Sequence, residues 1–276
     1  MNRKRKKSMA AGILILTIFG CVAIFAEVWM PYPIEELFTP YLRPCREHLL
    51  GTNDIGQDIL SELILGTRVT LLTGILAAFF VILIGTAAGM AAGYGGGVWR
   101  KLLDGITSVC MAVPQLPFAI VLVTFLEPGI WNIVAAICLT SWTATAKVVR
   151  AKTEELCQQP FIKIEETLGQ KKGYIMLRHI LPNMKDIVLM RAMLAVSSAM
   201  LTEASLSFLG LGAYDQKSWG SILYYAFKKN GVVANFYWWY VPPMICISLC
   251  IFAFILIGYY GLDKREEGAG FVSEKN

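Results

Sequence analysis

The stretch "IEETLGQKKGYIMLRHILPN", residues 164–183, is a polar segment in the middle of a chain that consists mostly of long apolar runs. It contains two adjacent glutamates and two adjacent lysines, and it ends in His-Ile-Leu-Pro-Asn. The residues around it decide whether this segment crosses a membrane, lies at its surface or belongs to a soluble domain.

The composition indicates a membrane protein. The 276 residues are 56% hydrophobic and 16% charged, with a mean hydropathy of +0.56. Soluble globular domains carry about 25% charged residues. The seven cysteines are scattered and mostly lie in apolar runs, which is typical of free thiols that pack as small hydrophobic side chains. The chain is therefore predicted to be an all-α, multi-pass membrane protein with little room for a separate soluble domain.

Six runs are long and apolar enough to cross a bilayer core, which takes about 20 residues of helix. They are residues 9–29, 69–94, 105–126, 129–146, 187–211 and 236–262. An extracytoplasmic segment, residues 30–68, follows the first span, and the other five spans form a core over residues 69–262. In the third span Pro114 and Pro117 predict a kink, which either borders a water-lined path or packs around a bend.

The distribution of lysine and arginine sets the orientation. With the N-terminus inside, the inner segments hold 18 of these residues and the outer segments hold 6. This asymmetry obeys the positive-inside rule. Both tails, residues 1–8 and 263–276, are therefore predicted to be cytoplasmic. The loop between spans four and five, residues 147–186, also faces the cytoplasm; we call it the coupling loop below.

The coupling loop is predicted to hold two short helices. Pro160 suits a first helical turn and Gly169 suits a helix end. Between them Phe161, Ile164 and Leu168 share one helical face, with Glu165 beside them. A second helix is expected over residues 171–180, ended by Pro182. From this pattern alone the helices either lie in the lipid headgroup layer or dock to a protein.

The same residues resemble the cytoplasmic Glu-Ala-Ala loop of ABC importer permeases. Glu165 matches the acidic position and Gly169 the glycine, and Glu166 and Thr167 stand where two small residues are usual. The family's His-x-Leu-Pro-Asn ending is matched by His179, Leu181, Pro182 and Asn183. The resemblance implies that the polar stretch is where a cytoplasmic ATPase grips the membrane subunit.

Two further stretches are similar to the dipeptide/oligopeptide/nickel permeases. "HLLGTNDIGQDILSELILGTRVTLLTG", residues 48–74, matches their His-x-Leu-Gly-Thr-Asp-x-x-Gly-Arg-Asp segment and the Gly-x-Arg that follows. The matching residues are His48, Gly51, Thr52, Gly56, Asp58, Ser61, Gly66, Arg68 and Leu71, whereas Asn53, Gln57, Glu62 and Thr70 depart from the pattern. Gln57 stands where the family has an arginine. "EASLSFLGLG", residues 203–212, followed by "SWG", resembles the segment before the family's last helix.

The resemblance implies a permease fold with six transmembrane helices and cytoplasmic coupling helices, paired with a second permease to form the translocation path. The implied partners are two ATPases that bind the ATP, an extracytoplasmic solute-binding protein and membrane lipid, but no nucleic acid. The cargo would be a peptide, nickel or a metal chelate. The implied ATPase-coupling residues are Phe161, Ile164, Glu165, Glu166, Leu168, Gly169, His179, Pro182 and Asn183. Pro114, Pro117 and Glu203 are candidates for the path.

The motifs of an enzyme are missing. The sequence has no Gly-x-x-x-x-Gly-Lys-Ser/Thr phosphate loop, so no cofactor is expected in this chain, and it has no catalytic His-Glu-x-x-His or Gly-x-Ser-x-Gly. His48 and His179 fall on opposite faces of the membrane and cannot share a metal. Arg191 and Glu203 are intramembrane charges, which a proton-coupled secondary transporter would use. That transporter and a membrane-embedded enzyme are the alternative hypotheses.

Overall fold

The computed structural model describes residues 3–213 and 216–260, and these residues are predominantly helical. Their only extended pairing is an isolated bridge between Thr52 and Asp58. The helices are α1 (Arg3–Ile24), α2 (Ala26–Trp29), α3 (Ile59–Gly95), α4 (Gly97–Ala112), α5 (Gln115–Phe125), α6 (Ile130–Cys157), α7 (Pro160–Thr167), α8 (Lys172–Ile175), α9 (Leu181–Asn183), α10 (Lys185–Phe208), α11 (Trp219–Lys228) and α12 (Tyr237–Tyr260). A π-helical turn, Met176–Ile180, joins α8 to α9. The all-α prediction is confirmed.

Five helices of the described chain, α1, α3, α6, α10 and α12, are each long and apolar enough to cross a membrane. The predicted third span is not one continuous helix, because α4 and α5 meet at an angle of 90°. Val113 is extended (ψ 126°), as steric contact with the following Pro114 favours. Pro117 lies in the first turn of α5, where a missing N–H costs nothing. The described residues therefore hold six candidate spans when the bent pair counts as one.

Two helices extend well beyond their predicted spans. Helix α3 begins ten residues before residue 69, because the Asp58 side chain accepts a hydrogen bond from the Ser61 N–H at 2.8 Å and caps the helix there. Helix α6 continues eleven residues past Ala146, through a polar stretch in which Arg150 and Glu154 form an (i, i+4) ion pair. Residues 59–68 and 147–157 are thus helical rather than loop. The predicted tail 263–276 lies outside the described residues.

Helices α3 and α6 pack closely along glycines spaced four apart. A β-carbon at Gly85, Gly89 or Gly93 would lie only 2.6–2.7 Å from the nearest atom of α6, so these positions tolerate no side chain. Small residues at such spacing let helix backbones approach each other in membranes. The α3–α6 pair forms the centre of the main hydrophobic core, to which α10, α11 and α12 add their buried faces.

A second, smaller core lies beneath the coupling loop. It consists of Met90, Val149, Leu156, Ile162, Ile175, Ile180 and Met184. Its members come from the ends of α3 and α6 and from the short helices of the loop. Buried apolar side chains stabilise this arrangement by about 25 cal/mol per Å² of apolar surface removed from solvent. Packing of these side chains therefore holds the coupling loop against the ends of α3 and α6.

Candidate functional site

The first coupling-loop helix, α7, is anchored on one side and ends at the predicted glycine. Pro160 occupies its first turn, and Ile162 is fully buried in the second core. Gly169 has φ +76°, the left-handed conformation that glycine adopts without strain, as predicted. Its N–H donates to the Glu166 carbonyl at 3.0 Å, which closes the helix.

The opposite face of α7 carries an apolar stripe that the described chain leaves partly exposed. We use the term apolar stripe for Phe161, Ile164 and Leu168, which are 39%, 58% and 69% exposed. Leu177 in the π turn is also exposed. The predicted single face of these three side chains is therefore present, and it is available to a partner.

The two glutamates of α7 make contacts within the chain. Glu165 Oε1 lies 3.6 Å from His179 Nε2, with about a quarter of each side chain exposed. Glu166 accepts a hydrogen bond from the Tyr94 hydroxyl at the end of α3. The structure thus brings together Glu165 and His179, two residues that the sequence resemblance placed at the ATPase contact.

The prediction that Pro182 ends the second helix is wrong. The chain stays helical through α8, the π turn and α9 as far as Asn183. The Leu181 N–H donates to the Met176 carbonyl five residues earlier, which widens the helix by one residue just before the proline. Pro182 then falls in the first turn of α9, where its missing N–H is tolerated. Asn183 Nδ2 donates to the His179 carbonyl at 2.7 Å and closes the segment.

The candidate path residues lie in two different environments. Pro114 and Pro117 are exposed at the α4–α5 bend. Glu203 is only 2% exposed; its Oε1 accepts a hydrogen bond from the Ser207 hydroxyl at 2.7 Å, and its Oε2 has no hydrogen-bond partner among the described residues. Gln115 donates weakly to Thr202 at 3.4 Å, so the start of α5 touches α10 beside Glu203. Their role in a path stays a prediction.

Arg191 and Glu203 do not form a charge pair. The Arg191 guanidinium donates to Thr145 Oγ1 at 3.5 Å, a marginal distance, and its Nε has no hydrogen-bond partner in the described chain. No carboxylate of the described residues forms an ion pair with it. This arrangement offers the proton-coupled hypothesis no relay between the two groups.

Two polar clusters were missed by the sequence reasoning. On the side predicted to face outward, Lys217 Nζ lies 2.6 Å from the buried Glu62 carboxylate and 3.2 Å from Gln57 Oε1. Lys217 and Glu62 are 155 positions apart in the sequence, so no local spacing indicates this contact. On the side predicted to face the cytoplasm, ion pairs connect α4 to α6 through Arg100, Asp104, Arg150 and Glu154. The (i, i+4) spacing of Arg150 and Glu154 was the only local signal.

Comparisons with known proteins agree with this architecture. Residues 84–266 match the model of the binding-protein-dependent transport system inner membrane component family. The oligopeptide transport system permease protein OppC of Bacillus subtilis is 32% identical over 94% of this chain and 85% of its own length. The glutathione permease protein GsiD of Pectobacterium atrosepticum is 34% identical over 91% and 83%.

A solved structure supports the fold independently. The MetNI methionine ABC transporter in an inward-facing conformation aligns with a TM-score of 0.59 at 15% identity, over 72% of this chain and 94% of that one. At this identity the likeness concerns the fold. Together with the sequence matches it means that the chain belongs to the binding-protein-dependent transport system inner membrane component family, as a permease subunit of an ABC importer.

Proposed function

We propose that this chain forms half of the translocation path of a peptide importer and that its coupling loop is the surface gripped by a cytoplasmic ATPase. Peptide cargo is supported by the relatives, which are named as oligopeptide, dipeptide and glutathione permeases. These names give no support to nickel. The partners would be a second permease, two ATPases that bind the ATP and an extracytoplasmic solute-binding protein.

The coupling role is supported by the apolar stripe, which lies on a helix whose other side packs into the second core. Ile162 and the second core hold α7 against the ends of α3 and α6, while Phe161, Ile164 and Leu168 point away from the chain. An amphipathic helix with its apolar face outward is the element that a partner's hydrophobic groove receives. Because α7 is attached to the spans, a partner that moves it also moves them.

The depth of α7 favours a protein partner over the lipid headgroups. Helix α6 runs eleven residues beyond Ala146, the last residue before its charged stretch, which is about 16 Å at 1.5 Å per residue. The headgroup region is roughly 5–7 Å thick on each side of the bilayer core. If α6 runs near the bilayer normal, its end lies below the headgroups, and α7 begins three residues after that end.

The test replaces the stripe without touching the core. Ile164→Ser combined with Leu168→Ser should leave the permease in the membrane at wild-type amounts, because both side chains are exposed. The variant should lose co-purification with the ATPase subunits and lose ATP-driven uptake. Leu37→Ser is the matched control, since Leu37 is 61% exposed in the segment predicted to face the other side of the membrane. Wild-type co-purification of the double variant would overturn the coupling assignment.

A further inference from the structure

Four charged side chains connect the first half of α4 to α6. Arg100 Nη2 lies 2.9 Å from a carboxylate oxygen of Glu154, and Arg150 forms an ion pair with Asp104. Within α6, Arg150 Nε donates to Glu154 at 2.9 Å. Each helix carries its cation four residues before its acid, so both charges lie on one helical face. Because the pairing runs antiparallel, each cation of one helix meets an acid of the other. We call these four residues the charge latch.

Little else in the described chain holds α4. None of the α4 side chains that the structure describes is buried, and neither hydrophobic core includes one of them. A cavity of about 100 Å³ lies between α3, α4 and α6, with Asp104 and Arg150 in its wall. Since a water molecule occupies roughly 30 Å³ in the liquid, such a cavity has room for about three waters. The contact between α4 and its neighbours is therefore incompletely packed.

The charge latch is partly open to solvent. Its side chains are between 26% and 45% exposed. Ion pairs with this exposure are individually weak, because water competes for the charges. The latch can therefore fix the position of α4 and still open readily.

A break in the helical chain lies at each end of α4. Gly96 and Gly97 stand at its start with φ +63° and +56°, and no atom lies within 4 Å of a β-carbon placed on either. Glycine adopts this left-handed region and others without steric penalty. At the far end, extended Val113 separates α4 from α5 at the 90° bend. A few residues at the ends of an element absorb the backbone change when that element moves as a unit.

We infer that α4 moves as a rigid helix between these two breaks during the transport cycle, and that the charge latch holds it against α6 in one state of that cycle. The inference uses the membership of an ABC importer family and does not depend on the coupling role or the peptide cargo proposed above. Helix α5 stays in place, because its Ala119 and Val123 lie in the main core and Gln115 Nε2 donates to Ser141 of α6 at 2.6 Å. The alternative is that a second permease holds α4 and that the charges do not set its position.

The first test measures the distance between α4 and α6 in the complete transporter, reconstituted in nanodiscs. Spin labels are attached at Leu102→Cys and Ala151→Cys, two exposed positions outside the latch, after the seven native cysteines are replaced by alanine. Double electron–electron resonance should give one major distance without nucleotide and a second, longer one during ATP hydrolysis. An identical distance in both conditions would overturn the inference, because α4 would not move.

Charge variants test whether the latch sets this distance. Asp104→Lys with Glu154→Lys makes all four latch residues cationic, so the longer distance should become the major one even without nucleotide. A second variant reverses all four: Arg100→Glu, Asp104→Arg, Arg150→Glu and Glu154→Arg. It restores opposite charges to every pair and should return the wild-type distance. Lys101→Glu changes the charge of α4 outside the latch and is the matched control.

Two outcomes of the charge variants would overturn the latch. A wild-type distance in the all-cation variant would assign the position of α4 to other contacts, such as a second permease. A reversed variant that behaves like the all-cation variant would show that charge complementarity does not hold the helix.

A cross-link provides a test that needs no charge variant to fold. With the latch intact, a short cleavable reagent that joins Leu102→Cys to Ala151→Cys should abolish ATP-driven uptake, because α4 can no longer leave α6. Cleavage of the reagent by a reductant should restore uptake. Full uptake by the cross-linked transporter would contradict the inference.

Discussion

The Glu165 carboxylate lies 3.6 Å from the His179 ring, which ties the centre of α7 to the π turn that leads into α10. The distance is that of an ion pair without a hydrogen bond. This contact holds Glu165, which lies beside the apolar stripe, near the π turn.

Glu165→Lys should uncouple ATP hydrolysis from uptake while changing stability little. A partly exposed ion pair contributes less than about 1 kcal/mol, so the variant should still fold and insert. The reversed charge beside His179 and the neighbouring cations should shift α7. Glu165→Gln, which keeps the size of the side chain, should retain most uptake. The measurement is uptake per ATP hydrolysed in proteoliposomes; equal ratios for wild type and Glu165→Lys would contradict this role.

Gly169→Val should disturb the end of α7 by backbone strain alone. No atom lies within 4 Å of a β-carbon placed at Gly169, so the substitution meets no steric clash, but φ +76° disfavours a β-branched residue by about 1–2 kcal/mol or more. We expect normal insertion and reduced co-purification with the ATPase. Gly169→Asn tolerates the left-handed region and is the control. Equal co-purification of both variants would show that the turn does not aim the helix.

The positions of the membrane spans could be predicted from the sequence better than the geometry of the breaks between helices. Uncharged runs of about 20 residues locate the spans. Inside the bilayer the backbone N–H and C=O groups find no water, so they hydrogen-bond to each other within a helix. The helix end at Gly169 was also predictable, because few residue types adopt the left-handed backbone conformation that commonly follows a helix. The 90° break at Val113 and the π turn before Pro182 could not be predicted from the sequence. A proline is compatible with a kinked helix, with a helix end or with the first turn of a new helix.

The candidate site was partly predictable for the same reason. The apolar stripe follows from helical spacing and appears where it was expected. The partners of Glu165 and Glu166 depend on how the loop folds back on α3 and on itself, which local spacing does not encode. Sequence similarity suggested which residues matter, whereas the structure separates those whose side chains are exposed from those that hold the helix in place.

Labelling of cysteines by a membrane-impermeant thiol reagent tests the orientation. In intact cells a variant that retains only Cys45 should react, because Cys45 is exposed in the segment predicted to be extracytoplasmic. A variant that retains only Cys157, at the end of α6, should react only after permeabilisation, and then slowly because the residue is partly buried. Labelling of Cys157 in intact cells would contradict the predicted topology.

The energy source distinguishes the importer from the proton-coupled hypothesis. Uptake into vesicles that hold the complete transporter should require ATP and should persist when an uncoupler collapses the proton gradient at constant ATP. The expectation follows from the family, because the chain is a permease subunit of an ABC importer. Loss of uptake on adding the uncoupler, with ATP unchanged, would favour the secondary transporter.

The cluster of Glu62 and Lys217 gives the largest expected change in stability. Glu62 is almost fully buried, and Lys217 is its only cationic partner among the described residues, with Asn53 Nδ2 donating at 3.0 Å. Lys217→Ala leaves a buried carboxylate without its countercharge, which costs roughly 3 kcal/mol. The added substitution Glu62→Gln removes that charge and should restore part of the loss. The melting temperature in detergent reports both effects, with Lys101→Ala as the surface control. Additive losses from the two substitutions would mean that Lys217 and Glu62 do not interact, because coupled neighbours must deviate from additivity.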